Sequence, residues 1–201
     1  MTTLPKSLLQ MSGAPLTPAP LDQASLVLID CQREYTEGKL PLTGVDAAID
    51  EAARLLDLAR RNKMPIFHIV HHGKPGGALF PPDGPTGQIV PALSPREGEM
   101  VIPKSLPNSF AKTTLEAVLK AAGRPQLIVA GFMTHMCVSA TAKAAVDLGY
   151  RTTVVAAATA TRDLPDPLGG AMPAEQVHRA ALTALADRFA IVIPGTAALT
   201  R

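Results

Sequence analysis

Tryptophan is absent from this 201-residue chain, and aromatic residues make up only 3% of it. Packing therefore falls to aliphatic side chains, and an apolar share of 47% is ordinary for a soluble globular protein. Cysteine is as scarce. Cys31 and Cys137 stand alone in unrelated segments, which excludes a disulfide scaffold and predicts a reduced, cytoplasmic chain. No sign of charge dominates, with 19 Lys and Arg against 17 Asp and Glu for a net +2. That scattered balance predicts neither nucleic acid nor a membrane as partner. No apolar run approaches the roughly 20 residues needed to span a bilayer, and Met1 to Pro20 lacks the apolar stretch of a secretory signal. At 201 residues the chain fits one domain that can bury a core without disulfides or structural metal.

What is present is an alternation of two patterns. Residues 1–23 carry four prolines and no periodicity, so they predict an extended arm, loose or laid across a neighbouring subunit, ahead of one domain over 24–201. Strands are expected near 25–30, 65–71, 99–103, 126–130, 151–156 and 189–193, with helices over 45–62, 113–122, 134–148 and 173–188. Repeated β-α-β order argues for a parallel sheet with helices on both faces. Between His72 and Gly98 lies a stretch rich in glycine and proline, too long for a passive connector and of the kind that forms functional lids.

Three reactive side chains sit where apolar runs end. Asp30 follows Ser25-Leu-Val-Leu-Ile29, Lys104 follows Met100-Val-Ile-Pro103, and Cys137 closes Leu127-Ile-Val-Ala-Gly-Phe-Met-Thr-His-Met-Cys137. In an open parallel sheet the carboxyl ends of the strands form the ligand crevice, so residues distant in sequence converge there. A free cysteine is usually a small buried hydrophobe, an aspartate often caps a turn, and a lysine commonly snorkels. At neighbouring strand exits the three make more sense together: Asp30 takes the thiol proton and Lys104 holds carboxylate and thiolate. A position at a helix start predicts a lowered thiol pKa for Cys137.

His68, His71 and His72 suggest a metal, but strand alternation sets His71 opposite the other two and no Asp or Glu lies within the cluster, so packing or pocket lining is expected and no metal. Gly73 to Gly77 lacks the surroundings of a phosphate loop, and no cofactor is expected.

Taken in order, Leu26-Val-Leu-Ile-Asp-Cys-Gln32, Ile102-Pro-Lys-Ser105 with Asn108-Ser-Phe110, and Gly131-Phe-Met-Thr-His-Met-Cys-Val138 resemble the isochorismatase-like cysteine hydrolase superfamily. That group includes nicotinamidases and N-carbamoylsarcosine, ureidoacrylate and biuret amidohydrolases. Thr141-Ala142, Asp147-Leu-Gly-Tyr150 and Val154-Val155 extend the likeness, which covers about residues 24–193. The resemblance implies a six-stranded parallel sheet in a three-layer α/β/α sandwich, a homodimer or homotetramer, and Asp30, Lys104 and Cys137 as triad. It also implies a cis peptide between Phe132 and Met133, with the Met133 and Cys137 N–H groups as oxyanion hole. The Asp-x-His metal motif of nicotinamidases has no counterpart in His68-Ile-Val-His-His72, which speaks against that activity and against zinc. Isochorismatases proper, which cleave a vinyl ether, generally lack the cysteine.

The expected chemistry is hydrolysis of an amide, ureide or carbamoyl C–N bond in a small molecule through a thioester. Gln32, Tyr35, His71, Phe110, Thr134 and His135 are candidate pocket residues, with Tyr35 and Phe110 offering flat apolar surfaces. The rivals are an isochorismatase-type ether hydrolase and a catalytically silent binding protein on the same fold.

Overall fold

The computed structural model describes residues 4–74 and 76–199; the first three and last two residues, which belong to the expected arm and domain, lie outside the described residues. The strands of the main sheet are β1 (Ala24–Ile29), β2 (Ile66–His71), β3 (Met100–Lys104), β4 (Gln126–Phe132), β5 (Arg151–Ala160) and, after a short antiparallel pair β6 (Leu164–Pro165) and β7 (Ala171–Met172), β8 (Ile191–Ile193). The main sheet has six strands in the order β3-β2-β1-β4-β5-β8, all parallel. The helices are α1 (Leu8–Met11), α2 (Val45–Arg61), α3 (Leu115–Ala122), α4 (Ser139–Asp147) and α5 (Ala174–Arg188).

Strand alternation sorts the core into two layers. Leu26, Leu28, Ile128, Ala130 and Val155 face one way and pack with Ala48, Ala52, Leu55 and Leu56 of α2. Val27, Ile29, Leu127, Val129 and Val154 face the other, against Leu115 and Leu119 of α3, Ala142 and Ala145 of α4 and Leu185 of α5. A strand buried on both faces is a continuous apolar run, which is why β1 and β4 were legible as strands. The result is the expected three-layer α/β/α sandwich.

Three stretches differ from expectation. Residues 4–23 are laid on their own chain: the Leu8 N–H donates to Asp187 of α5, Arg151 reaches the Pro15 carbonyl, and the Ala19 N–H donates to the Thr153 hydroxyl. The glycine- and proline-rich stretch is fastened, since Gln32 bridges to Ile89 and the Glu34 carboxylate, itself buried, accepts the Phe80 N–H at 3.1 Å. Finally, the chain after β4 does not enter an α-helix directly. Thr134–Val138 form a wider π-helical turn before α4 begins.

His68 proves structural. It is 1% exposed, and its Nε2 lies 2.8 Å from Glu99, whose carboxylate also accepts from Arg60 of α2 at 2.7 and 3.0 Å. Burial lowers the His68 pKa in spite of Glu99, so the neutral ring donates a hydrogen bond. Burial alone would raise Glu99, but the hydrogen bonds from Arg60, Arg96 and His68 overcome it and hold the carboxyl down to about 2. A depressed folded-state pKa adds stability that is present above the ordinary carboxylate range and lost as pH falls. Glu99→Ala should therefore cost about 1–3 kcal/mol at neutral pH, because it strands the buried His68 ring and the partly buried Arg60 guanidinium. The gap in Tm to wild type should narrow as pH falls from 4.5 towards about 2, and a gap that stays constant across that window would contradict this account.

Candidate active site

Asp30 leaves β1 with φ 50°, in the left-handed region that aspartate tolerates better than the branched residues before it. Its carbonyl accepts the Gln32 N–H at 2.8 Å, closing a tight turn that keeps the carboxyl at the sheet edge. On β4, Gly131 has φ 114°, and a Cβ there would stand 2.0 Å from the Ile29 carbonyl oxygen. Only glycine lets the two strands approach so closely, which brings the turn carrying Cys137 beside Asp30. The Phe132–Met133 peptide that follows is cis. Lys104 ends β3 and pairs in register with His71 on β2.

The structure brings Asp30, Lys104 and Cys137 together. Lys104 Nζ lies 2.7 Å from Asp30 Oδ2 and donates to Cys137 Sγ at 3.3 Å, and it stands 3.3 Å from His71 Nδ1. Asp30, Lys104 and Cys137 are 0%, 3% and 4% exposed. Neither carboxylate oxygen of Asp30 accepts an aligned hydrogen bond among the described residues, so the contact with the ammonium is an ion pair. Burial raises Asp30 to about 6 against the opposing pull of Lys104. Burial, and then the charge of Asp30, push the Cys137 thiol up to about 12. This reverses the expectation from helix position, because desolvation outweighs any dipole at a helix start. Burial and Lys104 lower His71 to about 4, so its ring is neutral and Nδ1 accepts from the ammonium. The ammonium thus donates to Sγ and Nδ1 and pairs by charge with the Asp30 carboxylate. At neutral pH the site rests as carboxylate, ammonium and thiol.

The other expected pocket residues divide. His71 joins the charge network. Gln32 is fully buried, with its amide committed to the His71 backbone and the Gly87 carbonyl. Tyr35 packs edge-on against Phe80 and Phe132 at 5.2 and 5.7 Å, as core rather than as an open surface. Phe110 stacks on Tyr150 with centroids 6.2 Å apart. Thr134 and His135 lie in the Cys137 turn, but their side chains bond to Ala160, Thr161 and His178.

His178 on α5 and Thr161 after β5 were not singled out from sequence, since nothing local marks a partner 44 or 26 residues away. Both also line a cleft of about 470 Å³ shared with Thr43, Glu51, Arg54 and Glu175. Asp30, Lys104 and Cys137 do not line that cleft. Among the described residues no three His, Cys, Asp or Glu side chains gather as a metal-ligating cluster. No described helix is long and apolar enough to cross a membrane.

A family model for the isochorismatase domain matches residues 24–197. A solved structure of an isochorismatase from Pseudomonas putida is 46% identical and superposes with a TM-score of 0.91, covering 95% of this chain and 97% of that one. A secreted isochorismatase effector of Verticillium dahliae is 35% identical over 91% of this chain and 94% of its own length. A maleamate amidohydrolase of Pseudomonas putida is 32% identical over 65% of this chain and 69% of its own. The cytoplasmic placement expected from the cysteines finds no support in these names, one of which is that of a secreted protein.

Proposed function

The chain belongs to the isochorismatase family of hydrolases, and on that premise we propose that it hydrolyses a small-molecule C–N bond through a Cys137 thioester. One observation carries the reading: a buried thiol 3.3 Å from a lysine ammonium that is itself 2.7 Å from a carboxylate.

The cycle runs as acyl transfer. Asp30 accepts the Sγ proton as sulfur attacks the amide or carbamoyl carbon. The oxyanion is received by the Met133 and Cys137 N–H groups. Asp30 returns the proton to the departing nitrogen, leaving a thioester, then takes a proton from water as it attacks. The second attack frees the acid and restores the thiol. Lys104 stays charged throughout, stabilising first the carboxylate and then the thiolate. A resting thiol beside an ionised carboxylate suits this sequence better than a preformed thiolate would. The name maleamate amidohydrolase, borne by one relative, supports a C–N substrate.

A second reading has support in the relatives named isochorismatase: cleavage of a vinyl ether. That reaction gives the thiol no covalent role. The two separate in one experiment, in which primary amides, ureides, carbamoyl compounds and an isochorismate-type ether are incubated with the protein. Ammonia release should be seen with at least one C–N compound, and hydroxylamine should intercept the thioester as a hydroxamate. Turnover of the ether alone, unaffected by alkylation of Cys137, would defeat the thioester route.

The same chemistry sets a pH dependence. Asp30 must be ionised to act as base, so kcat/KM should rise with pH through about 6. A profile flat from pH 5 to 8 would remove Asp30 as the base.

A further inference from the structure

The turn carrying Cys137 is held from behind. Thr134, its first residue, is wholly buried, and its hydroxyl donates to the Ala160 carbonyl at 3.1 Å. A hydroxyl has one proton to give. The contact of 2.9 Å between Thr134 Oγ1 and His178 Nδ1 must then run the other way, with the Nδ1–H of His178 donating. The Thr134 carbonyl is also engaged, accepting the Ser139 hydroxyl at 2.9 Å. One residue on, His135 Nδ1 meets the Thr161 hydroxyl at 2.6 Å. Helix α5 and the end of β5 thus grip the start of the turn whose backbone carries both Met133 and Cys137.

We propose that His178 is a positioning residue for the reaction: by donating from Nδ1 to Thr134 it fixes the turn on which the Cys137 thiol and the Met133 and Cys137 N–H groups depend. His178 does not touch the reacting atoms. Its effect passes through Thr134, three residues before the nucleophile, on a wider π-helical turn. Four lines converge on this assignment. The hydroxyl proton count fixes the direction of the bond. The ring is half-buried, and burial lowers its pKa and so favours the neutral form. Thr134 is wholly buried with the imidazole in place, so the ring and not solvent meets its hydroxyl. A misplacement of about 1 Å in such a site costs on the order of 100-fold in rate.

The inference rests on Cys137 as nucleophile, so its test uses a readout that survives if the substrate class is wrong. The rate of Cys137 alkylation by iodoacetamide, resolved from Cys31 by peptide mass spectrometry, is measured against pH together with Tm and, on any amide turned over, kcat and KM. His178→Leu should slow alkylation and lower kcat by about 10-fold or more, with KM changed by less than about threefold. His178→Asn places an amide N–H where Nδ1–H stood and should recover most of both. Thr134→Val should reproduce the His178→Leu loss, Thr134→Ser should not, and the double variant His178→Leu/Thr134→Val should lose no more than the worse single. Thr183→Ala, which removes a hydroxyl bonded within α5 to the Arg179 carbonyl, reports what general weakening of the helix does. Equal losses in the Leu and Asn variants that follow Tm, additive losses in the double variant, or a wild-type alkylation rate in His178→Leu would each overturn the proposal. Absent amide turnover with this alkylation pattern intact would overturn the substrate reading and leave the positioning role standing.

Discussion

Cys137→Ala is expected to remove turnover, with kcat falling by on the order of 10⁴-fold or more while the protein stays folded. The loss is large because the thioester route has no second nucleophile to fall back on. Lys104 and Asp30 would remain paired at 2.7 Å, but a methyl group cannot form the acyl intermediate. The fold should survive because the substitution deletes one sulfur at the mouth of a turn, while α4 behind it still packs through Ala142 and Ala145. Cys31 is the control. It is 2% exposed and sits next to Asp30, yet burial and that neighbouring charge hold its thiol protonated far above neutrality. Cys31→Ala should keep most of the activity. The measurement is ammonia release by each variant beside its thermal melt. Wild-type turnover in Cys137→Ala would end the cysteine mechanism.

How far this site could be read from residues alone depended on whether each signal was local. Asp30, Lys104 and Cys137 were visible because each ends a run of apolar residues, and a parallel sheet gathers such ends. Helix limits fell close for the same reason: Val45, Ile49, Ala52, Ala53, Leu56 and Ala59 repeat at helical spacing, and all but Ala53, which is only partly buried, lie on the buried face. The ionisation of Cys137 was not visible. Position at a helix start argued for a low thiol pKa, whereas the folded site pushes it up to about 12 through burial and a carboxylate 107 residues away in the chain, and neither is a property of the local segment. His68 gave the same lesson, since Glu99 reaches it only once β2 and β3 have paired. Gln32 looked like a pocket wall because it follows Asp30, but its amide is consumed by backbone at His71 and Gly87. The extension of β5 to Ala160 was missed for want of large apolar residues. Ala158 and Ala160 are buried all the same, pressed against β4 where its register shifts.

Lys104→Ala should give the largest effect short of deleting the nucleophile. The ammonium lowers the pKa of both Asp30 and Cys137, so its removal raises both. The sign follows directly. With Asp30 less acidic, the rise in kcat/KM moves from about pH 6 to higher pH, and at pH 7 a smaller share of the enzyme carries the ionised base. The thiolate formed during attack also loses the charged donor at 3.3 Å. Together these should cut the rate at pH 7 by orders of magnitude, since each pKa unit is worth about 1.4 kcal/mol. Lys104→Arg should rescue poorly. The lysine side chain is fully buried, and from one atom it meets the Asp30 charge, Cys137 and His71, a geometry that a planar guanidinium fork does not reproduce. Lys112→Ala, beyond the end of β3, should change little. Alkylation of Cys137 followed against pH in each variant decides the matter. A midpoint in Lys104→Ala that coincides with wild type would take Lys104 out of the charge network and leave the Asp30 carboxylate needing another cation to remain ionised while buried.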